Sequence, residues 1–227
     1  MIEFLFLDLD DTILDFHKAE RIAISKTIRE FGVEPNEEIL QLYHRINKWH
    51  WEQLELGKMT RAQVLENRFA ALFEQLGREV DAAACARVYE KNLATGHWFL
   101  PGAEEAVDSL HKKYRLFLAS NGTASVQKGR MTSANLYRFF EQVFVSQEIG
   151  FNKPSRAYFD ACFARIPDFD REKALMVGDS LTSDIQGGIN AGIRTVWVNP
   201  EHKNCGNIRP DCEIEALSQL EALLESL

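Results

Sequence analysis

Residues 4–15 read FLFLDLDDTILD, an apolar run that passes directly into a cluster of carboxylates. The four residues FLFL do not alternate with polar ones, which is the pattern of a strand buried on both faces of a parallel sheet. Asp8 and Asp10 follow at i and i+2, so an extended backbone aims both side chains the same way. We therefore predict a buried strand with Asp8 and Asp10 at its carboxyl end, where open α/β sheets bind ligands.

The acidic cluster after this strand needs a compensating charge. Carboxylates this close repel one another, and burying them is costly unless a cation or hydrogen-bond donors compensate. Mg²⁺ prefers oxygen ligands and takes one or two protein carboxylates, leaving its other positions to water and phosphate. The alternative is a solvated acidic turn in which Asp11 or Thr12 caps the next segment, and for an isolated Asp-x-Asp that alternative is favoured. The rest of the chain decides between the two interpretations.

The composition is that of a soluble globular protein, with 227 residues of which 45% are hydrophobic and 26% charged. The net charge of −8 argues against a general nucleic-acid binder, because duplex affinity depends on Lys and Arg. The sequence has neither the pattern of a secretory leader nor an apolar run of transmembrane length. We therefore expect a cytoplasmic protein, a monomer or a small homo-oligomer, with no nucleic-acid partner and no membrane.

The four cysteines have no paired C-x-x-C spacing, so we expect free thiols and no disulfide framework. They are Cys85, Cys162, Cys205 and Cys212. His202 together with Cys205 and Cys212 fits no standard zinc spacing, and ordinary thiols beside a surface histidine are the favoured interpretation.

Residues 16–98 have a helical pattern with no clear strand. Four helices are predicted here. The first ends near Gly32, the second spans 37–56, the third starts after Thr60 and the fourth spans 81–93. In the second helix, residues 47–51 (NKWHW) cannot all face the interior, so part of this segment should be exposed. An exposed tryptophan is suited to stacking on a base, and ordinary helix packing is an equally good interpretation.

From residue 99 onward, predicted helices and strands alternate. The predicted strands are 114–119, 142–145, 174–177 and 195–198, and the predicted helices include 103–113, 125–140, 184–191 and one from about 215 to the end.

Polar residues follow three segments of this second part. Ser120 and Asn121 combine a hydroxyl, an amide and a following helix start, which is a ready phosphate site, although Asn-Gly also marks tight turns. Lys153 precedes a proline and a predicted helix, which suits either a surface lysine or a charge neutraliser. Asp179 and Asp184 follow a fully apolar strand. Because parallel strands end at one edge of a sheet, these acids should lie near Asp8 and Asp10.

Four motifs in this order resemble those of the haloacid dehalogenase (HAD) superfamily of phosphohydrolases. They are Asp8-Leu9-Asp10-Asp11-Thr12, Ser120-Asn121, Lys153-Pro154, and Gly178-Asp179 through Asp184. The resemblance implies an α/β fold: a Rossmann-like, three-layer catalytic core with a parallel sheet over 1–15 and 99–227, and an all-helical cap inserted after the first strand over 16–98. About thirty residues separate Asn121 from Lys153, too few for the other kind of cap in this superfamily.

The resemblance also implies residue roles. Asp8 is the expected nucleophile and forms an aspartyl-phosphate, and Asp10 is the expected general acid and base. The expected Mg²⁺ ligands are Asp8, the backbone carbonyl of Asp10, and Asp179, with Asp184 orienting a ligand or water behind them. An acid–base aspartate at position 10 sets this chain apart from the dehalogenase branch of the superfamily.

Three further residues are expected to bind the transferring phosphoryl group: Ser120, Asn121 and Lys153, of which Lys153 also balances its charge in catalysis. Asp11 is expected to be structural, with Thr12 in the turn.

Within the superfamily, the chain is most similar to the bacterial pyrimidine 5′-nucleotidase (YjjG-type) group. The similarity rests on Asn47-Lys48-x-x-Trp51, on Gly57-x-x-Thr60, on Arg68-Phe69 and on the segment 177–192. It implies a small-molecule phosphate ester as substrate, in particular a nucleoside monophosphate such as UMP, with Asn47, Lys48 and Trp51 as candidate substrate contacts. The alternatives are a phosphatase for a small phosphosugar or phosphoglycolate, a phosphomutase, and a catalytically silent HAD-like binding module.

Overall fold

The computed structural model describes residues 1–226, and within them a sheet of six strands organises the fold. The strands are β1 (Phe4–Leu7), β2 (Arg115–Ser120), β3 (Gln142–Val145), β4 (Ala174–Gly178), β5 (Arg194–Val198) and β6 (Cys212–Ile214). They lie in the order β3-β2-β1-β4-β5-β6, and all neighbours are parallel. The strand order reverses between β1 and β4, which is where open α/β sheets bind ligands. The predicted α/β fold with a parallel sheet is confirmed.

The chain also forms ten α-helices within the described residues, of which the first five lie between β1 and β2 in the sequence and the other five follow β2. They are α1 (Phe16–Glu30), α2 (Glu37–Glu55), α3 (Arg61–Gln75), α4 (Ala82–Leu93), α5 (Ala103–Leu110), α6 (Ala124–Ser133), α7 (Ser146–Ile149), α8 (Arg156–Phe163), α9 (Gln186–Ala191) and α10 (Leu220–Leu224). Side-chain caps explain where three of these helices begin. The side chain accepts a backbone N–H from the first turn of the helix at Asn36 for α2, at Thr60 for α3 and at Asp81 for α4.

Two findings for the described residues concern membrane-spanning helices and cysteines. In 1–226, no helix combines the length and the apolar character needed to cross a bilayer. The four cysteines are free thiols, as predicted.

The side chains of β1 alternate between two hydrophobic cores. Leu5 and Leu7 lie in a largely aliphatic core with residues of α5, α6 and α10. Phe4 and Phe6 lie in a largely aromatic core with α8. The ring of Phe6 stacks on Phe117 of β2 with a centroid separation of 5.2 Å. Burial on both faces explains the unbroken apolar run and gives the three layers of helix, sheet and helix.

The chain forms two compact units. The α/β unit comprises Met1–Phe16 and the chain from His97 onward, and the helical unit comprises His17–Gly96. The centre of the helical unit is an aromatic cluster of Tyr43, Phe69 and Tyr89, whose ring centroids lie 5.4 to 5.5 Å apart. The division into a core of 1–15 and 99–227 and a cap of 16–98 stays a prediction.

Several predicted elements differ from the observed ones in extent, and the helix predicted over 103–113, for example, ends at Leu110. The helix predicted over 125–140 ends at Ser133, because Asn135 takes a left-handed backbone with φ 52°. The helix predicted over 184–191 begins earlier, with a wide π-helical turn over Leu181–Ile185. The last helix starts only at Leu220, because Ala216 is extended and residues Leu217–Gln219 form a 3-10 turn before it.

Candidate active site

The carboxyl ends of β1 and β4 bring three aspartates together. Asp8 follows β1, whereas Asp179 and Asp184 follow β4, its neighbour in the sheet. The pairing continues one residue past the end of β1, since the backbone N–H of Asp8 donates to the carbonyl of Val177 in β4 at 3.0 Å. One carboxylate oxygen of each aspartate lies within 4.8 Å of the others.

Lys153 lies buried among these acids. Its Nζ donates to Asp8 Oδ1 at 2.7 Å, to Asp184 Oδ1 at 2.6 Å and to the carbonyl of Ala119 at 2.6 Å. The residue is 1% exposed, and its three N–H bonds meet three acceptors. The interpretation as a surface lysine is therefore wrong, and the interpretation as a neutraliser of charge fits the observed contacts.

Asn121 fixes the backbone that carries Lys153. Its Nδ2 donates to the carbonyl of Lys153 at 2.8 Å, and its Oδ1 accepts the backbone N–H of Lys153 at 2.9 Å. Nδ2 also lies 3.2 Å from the hydroxyl of Ser183. The amide of Asn121 thus acts on the site through Lys153. Its predicted contact with phosphate stays a prediction.

Asp184 packs against the end of β4 through a glycine. Its Oδ2 accepts the backbone N–H of Ser180 at 3.0 Å, and its side chain is buried. A Cβ atom placed on Gly178 would lie 2.1 Å from this same oxygen. Glycine at position 178 is therefore what allows the Asp184 carboxylate to approach the strand end and reach Lys153.

Burial governs the protonation of the acids in this cluster. It raises the pKa of Asp8 to about 8, against the pull of Lys153 and with the added repulsion of Asp184 and Asp10. It also raises the pKa of Asp179 well above its ordinary value, and Asp184 and Asp8 add to that effect. For Lys153, burial disfavours the ammonium, yet Asp184 and Asp8 together hold its pKa above the ordinary value. One ammonium does not balance this negative charge, so the cluster suits a divalent cation.

Asp10 is bound by two side chains of α6 that sequence analysis missed. Gln127 donates from Nε2 to Asp10 Oδ2 and to Ser120 Oγ, each at 2.8 Å. Arg130 forms an ion pair with Asp10 Oδ1. Gln127 and Arg130 are 2% and 1% exposed. Polar residues at i and i+3 within a helix that follows Ser120 and Asn121 were the available signal.

Asp11 shapes the turn between β1 and α1. It takes a left-handed backbone with φ 55°, and its Oδ1 accepts the backbone N–H of Phe16 at the start of α1, at 2.9 Å. Its own N–H donates to the carbonyl of Leu14 at 2.8 Å. These contacts agree with the structural role predicted for Asp11.

Asn47 belongs to a buried polar network of the helical unit. Its Nδ2 donates to Glu20 Oε1 at 2.7 Å, and its Oδ1 accepts from Arg68 at 2.9 Å. The other oxygen of Glu20 lies 2.7 Å from Nδ1 of His44. Both ends of the Asn47 amide are thus engaged inside the unit.

The neighbouring residues of α2 reach the surface of the helical unit, as expected for part of this segment. Lys48 and Trp49 are exposed, and Trp51 is half-buried with the guanidinium of Arg61 5.5 Å from its ring centre. The roles of Asn47, Lys48 and Trp51 in substrate binding stay predictions.

Comparison with known proteins gives matches along almost the whole chain. The haloacid dehalogenase-like hydrolase family model matches residues 5–198. Pyrimidine 5′-nucleotidase PynA from Streptococcus pneumoniae is 39% identical, covering 96% of this chain and 93% of that protein. Pyrimidine 5′-nucleotidase YjjG from Escherichia coli is 29% identical, covering 98% and 97%. A crystal structure of the HAD-hydrolase YfnB from Bacillus subtilis, described as bound to magnesium and as revealing interdomain movement, has a TM-score of 0.94 at 38% identity and 99% coverage of both chains.

Proposed function

The chain belongs to the haloacid dehalogenase-like hydrolase family, and on this premise we propose that it is a Mg²⁺-dependent phosphomonoesterase that removes phosphate from pyrimidine nucleoside monophosphates. The observation that carries the proposal is the buried Lys153 ammonium between Asp8 and Asp184. A fixed positive charge beside a carboxylate nucleophile is suited to stabilising a transferring phosphoryl group. The names of PynA and YjjG support pyrimidine nucleotides as the substrate class.

The first chemical step forms the aspartyl-phosphate on Asp8. A carboxylate oxygen of Asp8 attacks phosphorus, and the bond from phosphorus to the sugar oxygen breaks. Asp10, in its protonated form, gives its proton to that leaving oxygen. The hydroxyl of Ser120 binds a phosphoryl oxygen, and the buried ammonium of Lys153 balances the negative charge while it redistributes among the phosphoryl oxygens.

The second step releases phosphate. The Asp10 carboxylate takes a proton from a water molecule, whose oxygen attacks phosphorus as the bond to Asp8 Oδ breaks. Inorganic phosphate leaves, Asp8 is again a carboxylate and Asp10 is again protonated. The two steps therefore return the protein to its starting state.

The oxygen donors at the strand ends fit Mg²⁺. The Asp8 and Asp179 carboxylates and the backbone carbonyl of Asp10 would hold it, a set of hard oxygens with few carboxylates. Burial, together with repulsion from neighbouring carboxylates, raises the pKa values of Asp8 and Asp179, and a bound cation would offset both effects, which supports this assignment. When bound, the ion neutralises charge on the phosphoryl oxygens.

The experiment that tests this function is phosphate release by the purified protein with Mg²⁺ or with EDTA. The panel contains UMP, dUMP, dTMP, purine monophosphates, phosphoglycolate, sugar phosphates and p-nitrophenyl phosphate. We expect Mg²⁺-dependent turnover with the highest kcat/KM on the pyrimidine monophosphates. The matched control is Asp8→Asn, which keeps the shape of the side chain and should lower turnover by at least about 10³-fold.

Other outcomes separate the parts of the proposal. A preference for phosphoglycolate or a sugar phosphate would keep the hydrolase and overturn the pyrimidine specificity. Activity of Asp8→Asn equal to that of the wild type would exclude the aspartyl-phosphate. If the folded protein releases phosphate from none of the compounds in the panel, a catalytically silent binding module is favoured.

A further inference from the structure

Each oxygen of the Asp10 carboxylate is bound by a side chain of α6. Arg130 pairs with Oδ1, and Gln127 donates from Nε2 to Oδ2 at 2.8 Å. The two residues are three apart in the helix, so both project from one face of it. They follow Asp10 by 120 and 117 positions in the sequence, so the fold as a whole creates these contacts.

The amide of Gln127 links Asp10 to the segment that carries Ser120. Its two N–H bonds reach Asp10 Oδ2 and Ser120 Oγ, and its Oε1 accepts from Arg130 at 3.2 Å. With both donors engaged, the orientation of the amide is fixed. A Cβ atom on Gly122 would lie 2.4 Å from Cγ of Gln127, so glycine at 122 is required for this placement.

Arg130 is an unusual residue to bury at this position. Besides its contacts with Asp10 and Gln127, its guanidinium carbon lies 5.6 Å from the centre of the Phe16 ring. A buried ion pair is often no more stabilising than apolar side chains of similar volume. Stability by itself therefore does not explain an arginine here, and its contact with Asp10 offers an explanation through function.

We propose that Arg130 and Gln127 are positioning residues for the acid–base work of Asp10, an inference that rests on the proposed function. A free carboxylate rotates about its Cβ–Cγ bond, and one donor on each oxygen stops that rotation. An ionised carboxylate oxygen accepts about two hydrogen bonds, so each keeps one lone pair for the proton that Asp10 exchanges. Proton transfer requires this oxygen to stay within hydrogen-bond reach of its partner, so a rotating carboxylate transfers the proton more slowly.

The test uses two phosphomonoesters that differ in their need for an acid. The sugar oxygen of UMP must be protonated as it leaves, whereas p-nitrophenolate leaves without a proton. We expect Arg130→Met to lower kcat/KM for UMP by about 10²-fold and for p-nitrophenyl phosphate by less than about threefold. Because kcat/KM reports the steps up to the aspartyl-phosphate, the later attack of water does not enter the comparison.

Three further variants complete the experiment. Gln127→Met removes a donor and keeps the charge, and we expect a selective loss on UMP of about tenfold, which also serves if Arg130→Met does not fold. Arg130→Lys restores a positive charge and should recover part of the activity on UMP. Lys128→Met is the control, since Lys128 is an exposed base of the same helix, and it should change neither ester.

The outcomes distinguish this inference from the proposed function. Equal losses on both esters, or no loss on either, would overturn the positioning role and leave the phosphatase standing. If the wild type prefers another alkyl phosphomonoester to UMP, only the substrate assignment fails, and the same comparison with that ester decides the positioning role. A wild type that hydrolyses no phosphomonoester overturns both proposals.

Discussion

Lys153 joins three acceptors through one ammonium, and two of them are the buried carboxylates of Asp8 and Asp184. Lys153→Met keeps the length of the side chain and leaves these carboxylates facing each other without a cation. We expect the free energy of unfolding in EDTA to fall by about 3–5 kcal/mol, the usual loss when one partner of a buried ion pair is removed. Urea unfolding followed by circular dichroism measures this loss.

The control for this variant is Lys112→Met. Lys112 pairs with Asp108 four residues earlier, at the surface, and exposed pairs contribute little to stability. The double variant Lys153→Met with Asp184→Asn should recover part of the stability and none of the activity. If Lys153→Met unfolds at the same urea concentration as Lys112→Met, the ammonium has no structural role.

Single residues differ in how far the sequence predicts them. Asp8 and Asp10 are predictable, because acids directly after a fully apolar strand are unusual. The burial of Lys153 is not, since 145 positions separate it from Asp8 and no local pattern joins them. Arg130 and Gln127 went unnoticed because polar residues within a helix ordinarily face solvent, and here a distant carboxylate determines their placement.

At the scale of elements, the structure at the end of β4 depends on Gly178, which has no side chain. Gly178→Ala would place a methyl group 2.1 Å from Asp184 Oδ2 and push that carboxylate away from Lys153. We expect turnover to fall by about 10²-fold or more, because small misplacements in an active site have effects of this size. Steady-state kinetics of the purified variant measures this loss, and a thermal unfolding scan measures the stability of the variant.

Gly206→Ala is the comparison for this glycine. Gly206 has a left-handed backbone with φ 61° and no neighbour within 4 Å of an added Cβ. Its substitution should cost about 1 kcal/mol of stability through backbone strain and leave turnover unchanged. Full activity in Gly178→Ala would contradict the close approach of Asp184 to the strand.

Elements with strong local signals are the ones the sequence predicts well. The caps at Thr60 and Asp81 start α3 and α4 where expected, and the apolar strands lie within a residue or two of their predicted bounds. The helix after Asn121 was predicted too long, because nothing in the pattern marks Asn135 as left-handed. β6 was missed because it has three residues and its pairing with β5 is a tertiary contact.

At the scale of the whole molecule, the acids at the carboxyl ends of β1 and β4 should link metal binding to the stability of the fold. We expect Mg²⁺ at about 100 times its dissociation constant to raise the free energy of unfolding by about 2.7 kcal/mol. Asp179→Asn removes a proposed ligand and should abolish this increase. In EDTA it should be at least as stable as the wild type, because one of the mutually repelling carboxylates of the cluster is then removed. Thermal unfolding at a series of Mg²⁺ concentrations tests both statements. An equal Mg²⁺ effect in the two proteins would contradict the first, and a lower stability of Asp179→Asn in EDTA would contradict the second.

The overall architecture follows from sequence features that extend along the chain. Alternation of apolar strands and helices after residue 99 is enough to predict a parallel sheet, and the helical pattern between residues 16 and 98 is enough to predict a separate helical region. The hydrogen bonds inside that region are not predictable from the sequence pattern. The amide of Asn47, a candidate substrate contact, hydrogen-bonds to Glu20 and Arg68, residues of two other helices, and no local pattern indicates these bonds.

The two faces of β1 differ in the size of their side chains, with phenyl rings on one and isobutyl groups on the other. Because successive side chains of a strand point to opposite faces, a pairing error of one residue would drive the rings into the space of the smaller groups. The same error would turn Asp8 away from the end of β4. Only the pairing that fills both cores therefore aligns the proposed nucleophile, so chains that mispair β1 lose their packing and their chemistry together.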